Sequence, residues 1–305
     1  MSEDPEVVQS ELEVAFPPKP PIKCLHSGKH VGDLVWTKTA LIFTHGASGT
    51  LKADAIKNFT HGFVTSSARP TLLCFQGNMN LASRVKMFKA IIEARECELK
   101  SMIKTSPTCL GGRSMGARAA VMAATEETVH LVLVSYPLHS GKGTRDQILF
   151  DIPASINVIF VSGDLDDMCD LESLETVRQK MKCKTWKVAV HGADHGMNVK
   201  PKSATREIGR MTGAIVATWL SDSNERLTEG TLSWDTNQAA AQWSGWSESR
   251  NLPKAGAAST KTAKASAKPI KSAAKSSKRK SKKDVDDEQD TEVTQAPKPK
   301  KHRKT

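Results

Sequence analysis

Three residue types used in acyl transfer stand in three glycine-flanked segments, in the order serine, acid, histidine. Ser114 lies in CLGGRSMGARAA (109–120), within Gly112-Arg113-Ser114-Met115-Gly116. A serine hydroxyl is a weak nucleophile until a base takes its proton and a turn exposes it. A G-x-S-x-G that ends a strand and opens a helix meets the second need. The glycines make room where a side chain would clash, and the helix N-terminus offers partial positive charge to a developing oxyanion. The same five residues also describe a strand-to-helix turn with an N-capping serine. The motif alone divides evenly between the two readings.

Other segments supply what a nucleophile would need. THGASG (44–49) follows an apolar run and has the composition of a loop that offers a backbone N–H to an oxyanion. Ala47 is the candidate donor there, and Met115, next after the serine, is the second. FVSGDLDDMCD (160–170) places four carboxylates after a strand pattern. Asp166, at G-x-x-D spacing, is favoured to orient a histidine, with Asp164 and Asp167 as substitutes. Asp170 reads as the cap of a helix beginning near Leu171. HGADHGM (191–197) carries His195 in a loop before the last helical stripe, with His191 as runner-up. An oxyanion loop followed by Ser, Asp and His is the chain order of the α/β-hydrolases, distinct from the chymotrypsin-like and subtilisin-like orders.

These residues need a scaffold, and the apolar pattern supplies one. Short runs at TALIFT (39–44), PTLLCFQ (70–76), SPTCLGG (106–112), HLVLVSY (130–136), SINVIFVSG (155–163) and TWKVAV (185–190) read as strands buried on both faces. Between them, Leu81, Val85, Phe88 and Ile92 recur at helical spacing, as do Leu171, Leu174, Val177 and Met181, and then Ile208, Met211, Ile215 and Trp219. Strands alternating with helices predict an α/β fold: a mostly parallel sheet of about six or more strands, helices on both faces, and minimal or no cap domain. The expected organisation is an acidic and proline-rich N-terminal segment at 1–32, whose residues 1–23 read as irregular or lightly docked, and an α/β-hydrolase domain at 33–222. A linker with three tryptophans (Trp234, Trp243, Trp246) spans 223–250, and a disordered basic tail 251–305. Leu138, His139 and Arg145 follow the 130–136 strand, where ordinary loop packing is slightly preferred over a place in the site.

Charge is unevenly distributed. Of the 44 Lys/Arg and 33 Asp/Glu, residues 251–305 hold 16 and 6, which leaves 28 and 27 for residues 1–250. The basic clusters KSSKRKSKK (275–283) and PKPKKHRK (297–304) read as nuclear targeting, with phosphate-directed, sequence-independent nucleic-acid contact as a further reading. The tail lacks aromatic residues, which argues against base stacking. Six cysteines without a C-x-x-C pair read as reduced thiols. The acidic N-terminus is unlike a secretory leader, and no run of about 18 apolar residues suggests a membrane span. No phosphate-loop or metal-binding motif occurs, so neither a cofactor nor a metal is expected.

THGASG, LLCFQGNMNLASRVKMFKA, GGRSMGARAA, SYPLH, FVSGDLDDMC and ADHGM resemble the α/β-hydrolase-like family of testis-expressed protein 30 and non-specific lethal complex subunit 3, with dienelactone hydrolase-like enzymes as more distant relatives. The resemblance covers about residues 36–220. It implies a nucleophile at Ser114, an acid at Asp166 and a base at His195, and expects either of two functions. One is a serine hydrolase acting on a small carboxylester, thioester or lactone, in the nucleus or also the cytoplasm. The other is a non-catalytic interaction protein of a nuclear or chromatin-associated complex, working through its tail and tryptophans. Dienelactone hydrolases proper use a cysteine nucleophile, so their substrate does not carry over.

Overall fold

The computed structural model describes residues 6–101, 107–141 and 143–248. The basic tail expected to be disordered lies outside them. In chain order the elements are β1 (Val8–Val14), β2 (Ile22–Gly28), β3 (Leu41–Thr44), α1 (Asp54–Thr65), β4 (Leu72–Phe75), α2 (Leu81–Ser101), β5 (Thr108–Arg113), α3 (Met115–Ala123) and β6 (Thr128–Val134). A small ribbon of β7 (His139–Ser140) and β8 (Gly143–Thr144) follows, then α4 (Gln147–Phe150), β9 (Asn157–Gly163), α5 (Leu171–Arg178), β10 (Thr185–Val190) and α6 (Lys202–Ser221). The last three strands are β11 (Leu227–Asp235), β12 (Ala240–Trp243) and β13 (Ser247–Glu248).

One sheet runs in the order β1-β2-β4-β3-β5-β6-β9-β10-β11-β12, with β13 also on β11. Pairing is parallel from β4 through β11 and antiparallel at both margins. The six apolar runs expected as strands are β3, β4, β5, β6, β9 and β10, the centre of the sheet, and they are apolar because helices cover both faces. Phe88 and Ile91 of α2, Ala120 of α3 and Leu174 of α5 build the core on one face. Phe59 and Phe63 of α1 and Ile208 and Trp219 of α6 build it on the other. Among the described residues, only the β7–β8 ribbon and a helix of 4 residues stand between β6 and β9, and no cap domain is evident there over the strand ends.

Two expectations for the flanks need correction. The N-terminal segment is neither irregular nor only lightly docked: β1 and β2 pair over seven residues and extend the sheet past β4. Residues 223–250 are not a linker, because β11 pairs in parallel with β10 and carries β12 and β13. Both segments were misread for one reason. Strands near a sheet margin are covered less completely, so they mix charged and apolar residues (VQSELEV, LTEGTLSWD) and lack the continuous apolar run of a central strand. Trp234, Trp243 and Trp246 pack back on the α1–α6 side of the core, and a Cβ on Gly230 would fall 2.0 Å from the Trp243 ring.

Helices α1 and α6 touch through backbone. A Cβ on Gly62 would lie 1.7 Å from the carbonyl oxygen of Arg210, and one on Gly213 2.1 Å from that of Phe59. Gly62→Ala must therefore separate the two helices. It is expected to cost about 3 kcal/mol, read as a lowered urea midpoint. Gly32→Ala, with nothing within 4 Å of its would-be Cβ, should leave the midpoint in place.

Candidate active site

The elbow forms where β5 turns into α3. Ser114 adopts φ 54° and ψ −118°, a conformation that costs a non-glycine residue about 1–3 kcal/mol. The glycines beside it explain how the turn closes. A Cβ on Gly112 would sit 2.3 Å from the carbonyl carbon of Gly116, and one on Gly116 2.5 Å from the carbonyl oxygen of Thr44. The elbow is thus pressed against the end of β3. Met115 is the first residue of α3, so its N–H has no acceptor within the helix.

Three loops at the C-terminal ends of β5, β9 and β10 bring Ser114, Asp166 and His195 together. Ser114 Oγ is 2.9 Å from His195 Nε2. His195 Nδ1 lies 2.9 Å from both oxygens of Asp166. The carboxylate is an acceptor, so it fixes the proton on Nδ1 and leaves Nε2 to accept from the serine. The Asp166 side chain is 0% exposed, and its Oδ1 also accepts the N–H of Met168 at 2.8 Å.

The runner-up residues are placed elsewhere. Asp164 accepts from His191 Nδ1 and from the N–H of Gly192, both at 2.6 Å, forming a separate pair. Asp170 caps α5 through the N–H of Ser173 at 2.7 Å and also meets His139 Nε2 at 2.7 Å. Leu138 is buried, and Arg145 donates to the carbonyls of Pro137 and His139. These residues are loop structure.

A second network shapes the loop after β3. His45 Nδ1 donates to the carbonyl of Gly46 at 2.7 Å, while its Nε2 accepts from the N–H of Gly77 at 3.0 Å and from Gln76 Nε2 at 2.7 Å. The Arg84 guanidinium, 0% exposed, donates to the carbonyls of His45, Gly46, Ala47 and Asn78. Ala47 therefore has its carbonyl turned toward Arg84. Arg113 links the two networks: its Nη2 donates to the carbonyl of His195 at 2.5 Å, and a Cβ on Gly46 would be 3.0 Å from its Nη1. Sequence reasoning missed Arg84 and Arg113. One signal was available for Arg84: it lies on the apolar face of α2, three residues after Leu81 and four before Phe88, where a solvated arginine has no place.

His45 is held neutral. Burial pulls its pKa down to about 4, against an upward pull from its bond to Gly46 and with a smaller downward push from the Arg84 charge. A proton on Nε2 would face two donors, which gives the same sign. The folded pKa lies below the unfolded one, so the unfolded chain binds more protons and stability falls as pH drops from about 6.5 toward 4. The expected loss from this residue is ~3 kcal/mol. Buried His26 and half-buried His130 shift in the same direction. Urea unfolding across pH 7 to 4 checks this, and His45→Gln should flatten the dependence.

The strand order, the strained elbow and the open strand ends define an α/β-hydrolase fold. Residues 37–219 match the alpha/beta hydrolase domain family, and the chain belongs to it. Among solved structures it is similar to Est1E from Butyrivibrio proteoclasticus, at 12% identity over 70% of this chain and 99% of that one, with a TM-score of 0.51. It is also similar to an alpha-beta serine hydrolase homologue from Coxiella burnetii, at 14% identity over 68% and 97%, with a TM-score of 0.51. An ester-hydrolase from the metagenome of Lake Arreo matches at 12% identity over 72% and 83%, with a TM-score of 0.52. At such identities the likeness speaks for the fold.

Proposed function

We propose that the protein is a serine hydrolase acting on a small carboxylester, thioester or lactone. The observation that carries this is the continuous chain from Ser114 Oγ through His195 to the buried Asp166, at 2.9 Å for each link. Ser114 Oγ attacks the substrate carbonyl carbon as its proton passes to His195 Nε2. The N–H groups of Ala47 and Met115 hold the tetrahedral oxyanion. Collapse breaks the bond to the alcohol or thiol, which leaves with the proton from His195. Water then attacks the acyl-enzyme by the same route and releases the acid. The open strand ends suit a small substrate that needs no lid.

A fluorophosphonate probe tests the reading without knowledge of the substrate. Wild type is expected to be labelled at Ser114, and Ser114→Ala and His195→Ala are not. Folded wild type that resists labelling would refute an activated nucleophile and favour a hydrolase-fold interaction protein of a nuclear complex. The motifs shared with the testis-expressed protein 30 and non-specific lethal complex subunit 3 family support membership in that subfamily. The two basic clusters support nuclear targeting and phosphate-directed nucleic-acid contact, and a fluorescent fusion lacking residues 251–305 should lose nuclear retention.

A further inference from the structure

A cavity of about 590 Å³ opens beside the catalytic-type residues, on the α1–α6 face of the sheet. That size suits a small organic ligand. Arg113 and Val134, at the ends of β5 and β6, form one wall, and the loop after His195 forms another. Phe59, Val134, Met197 and Val199 give it an apolar lining. Met197 is held at φ 61°, so this wall stores backbone strain.

Its charge is one-sided. Arg113, Lys200, Lys202 and Arg206 line it, against a single carboxylate, Asp54. This excess stands in a body where 28 basic residues face 27 acidic ones over positions 1–250. Arg206 has a surface partner in Glu207 at 3.0 Å. Among the described residues, Lys200 and Lys202 make no ion pair. Helices α1 and α6 both begin at the cavity, with Asp54 and Lys202 as their first residues, so both positive dipole ends add to the field.

Arg113 is the half-buried member of this cationic group. Its Nε is buried with no hydrogen-bond partner, and Asp166 and Asp194 act on its charge only at a distance. Protein atoms enclose that Nε, so an anion in the cavity meets the Arg113 charge at the part of the side chain that lines it.

We propose that this cavity is a binding site for an amphipathic organic anion, a carboxylate on an apolar body, with the carboxylate against Arg113 and the two lysines. Arg113 also holds the His195 carbonyl, so the occupied site communicates directly with the base. A carboxylic acid is what acyl hydrolysis releases, so the ligand is either the acid part of the reaction or a separate effector of like chemistry. The link to turnover rests on the hydrolase reading, whereas the binding itself does not.

The test titrates octanoate, with 1-octanol as the uncharged control, into wild-type protein and into Ser114→Ala, followed by calorimetry. Both proteins should bind octanoate saturably and neither should bind octanol comparably. Raised salt should weaken the octanoate affinity. The double variant Lys200→Ala/Lys202→Ala, altered only at exposed side chains, should bind about tenfold more weakly. Absence of octanoate binding, equal binding of octanol, or an unchanged affinity in the double variant would each overturn the proposal. Binding to Ser114→Ala is read without any catalysis, so it stands or falls apart from the hydrolase reading. If bound octanoate competes with fluorophosphonate at Ser114, the acid part of the reaction occupies the site. If it binds without competing, the occupant is an effector.

Discussion

Asp166→Asn is expected to slow fluorophosphonate labelling of Ser114 by about 10⁴-fold while leaving the fold intact. The carboxylate can only accept, so it keeps the His195 proton on Nδ1 and the Nε2 lone pair on the serine. An asparagine fits the same space, and its other contact, accepting from the Met168 N–H, survives through the amide oxygen. Its amide N–H₂ then faces His195 Nδ1, favours the opposite tautomer and turns an imidazole N–H toward Ser114. The serine proton has nowhere to go. The neighbouring Asp164→Asn is the control, because Asp164 serves His191 rather than His195. Its labelling rate should match wild type. Equal rates in the two variants would refute the assignment of Asp166.

How far the sequence carried this site depends on which physics was local. The central strands were legible because burial on both faces leaves an uninterrupted apolar run, as in LIFT of β3 and NVIFVSG of β9. Ser114 was legible because closing its turn demands glycines two residues away on each side, and those glycines appear in the sequence. The choice between Asp166 and Asp164 is not a local one. Two residues apart in one loop, they take different histidines, four residues apart in another, and the pairing depends on how β9 and β10 align. The marginal strands were illegible because their pattern reflects partial cover on one side. The roles of Arg84 and Arg113 were illegible for another reason, although the place of Arg84 on an apolar helix face could be read. Each acts through backbone carbonyls of residues far along the chain, and a carbonyl leaves no trace in residue identity.

Arg84→Met is the second large effect expected. Arg84 grips three successive carbonyls, at residues 45, 46 and 47. Because a trans peptide holds its C=O and N–H antiparallel, turning the Gly46 carbonyl toward Arg84 turns the Ala47 N–H away from it. That residue is the proposed oxyanion donor. The loop is enclosed from the other side as well, since a Cβ on Gly77 would fall 2.7 Å from the guanidinium carbon. Burial pulls the arginine pKa down to about 10, which still leaves it charged near neutral pH. Methionine fills much of the volume but takes the donor from the carbonyls of His45, Ala47 and Asn78, while that of Gly46 keeps His45 Nδ1–H; each buried carbonyl left without a donor costs about 1–3 kcal/mol. Urea unfolding should show a loss of several kcal/mol. Under conditions where the variant remains folded, labelling at Ser114 should be about 10²–10³-fold slower, the cost of one misplaced oxyanion donor. Arg84→Lys separates position from charge. An ammonium keeps the charge but cannot span three carbonyls as a planar fork does. It should recover part of the stability and little of the rate. If folded Arg84→Met is labelled at the wild-type rate, the Ala47 N–H is not the donor, and the oxyanion must be held elsewhere.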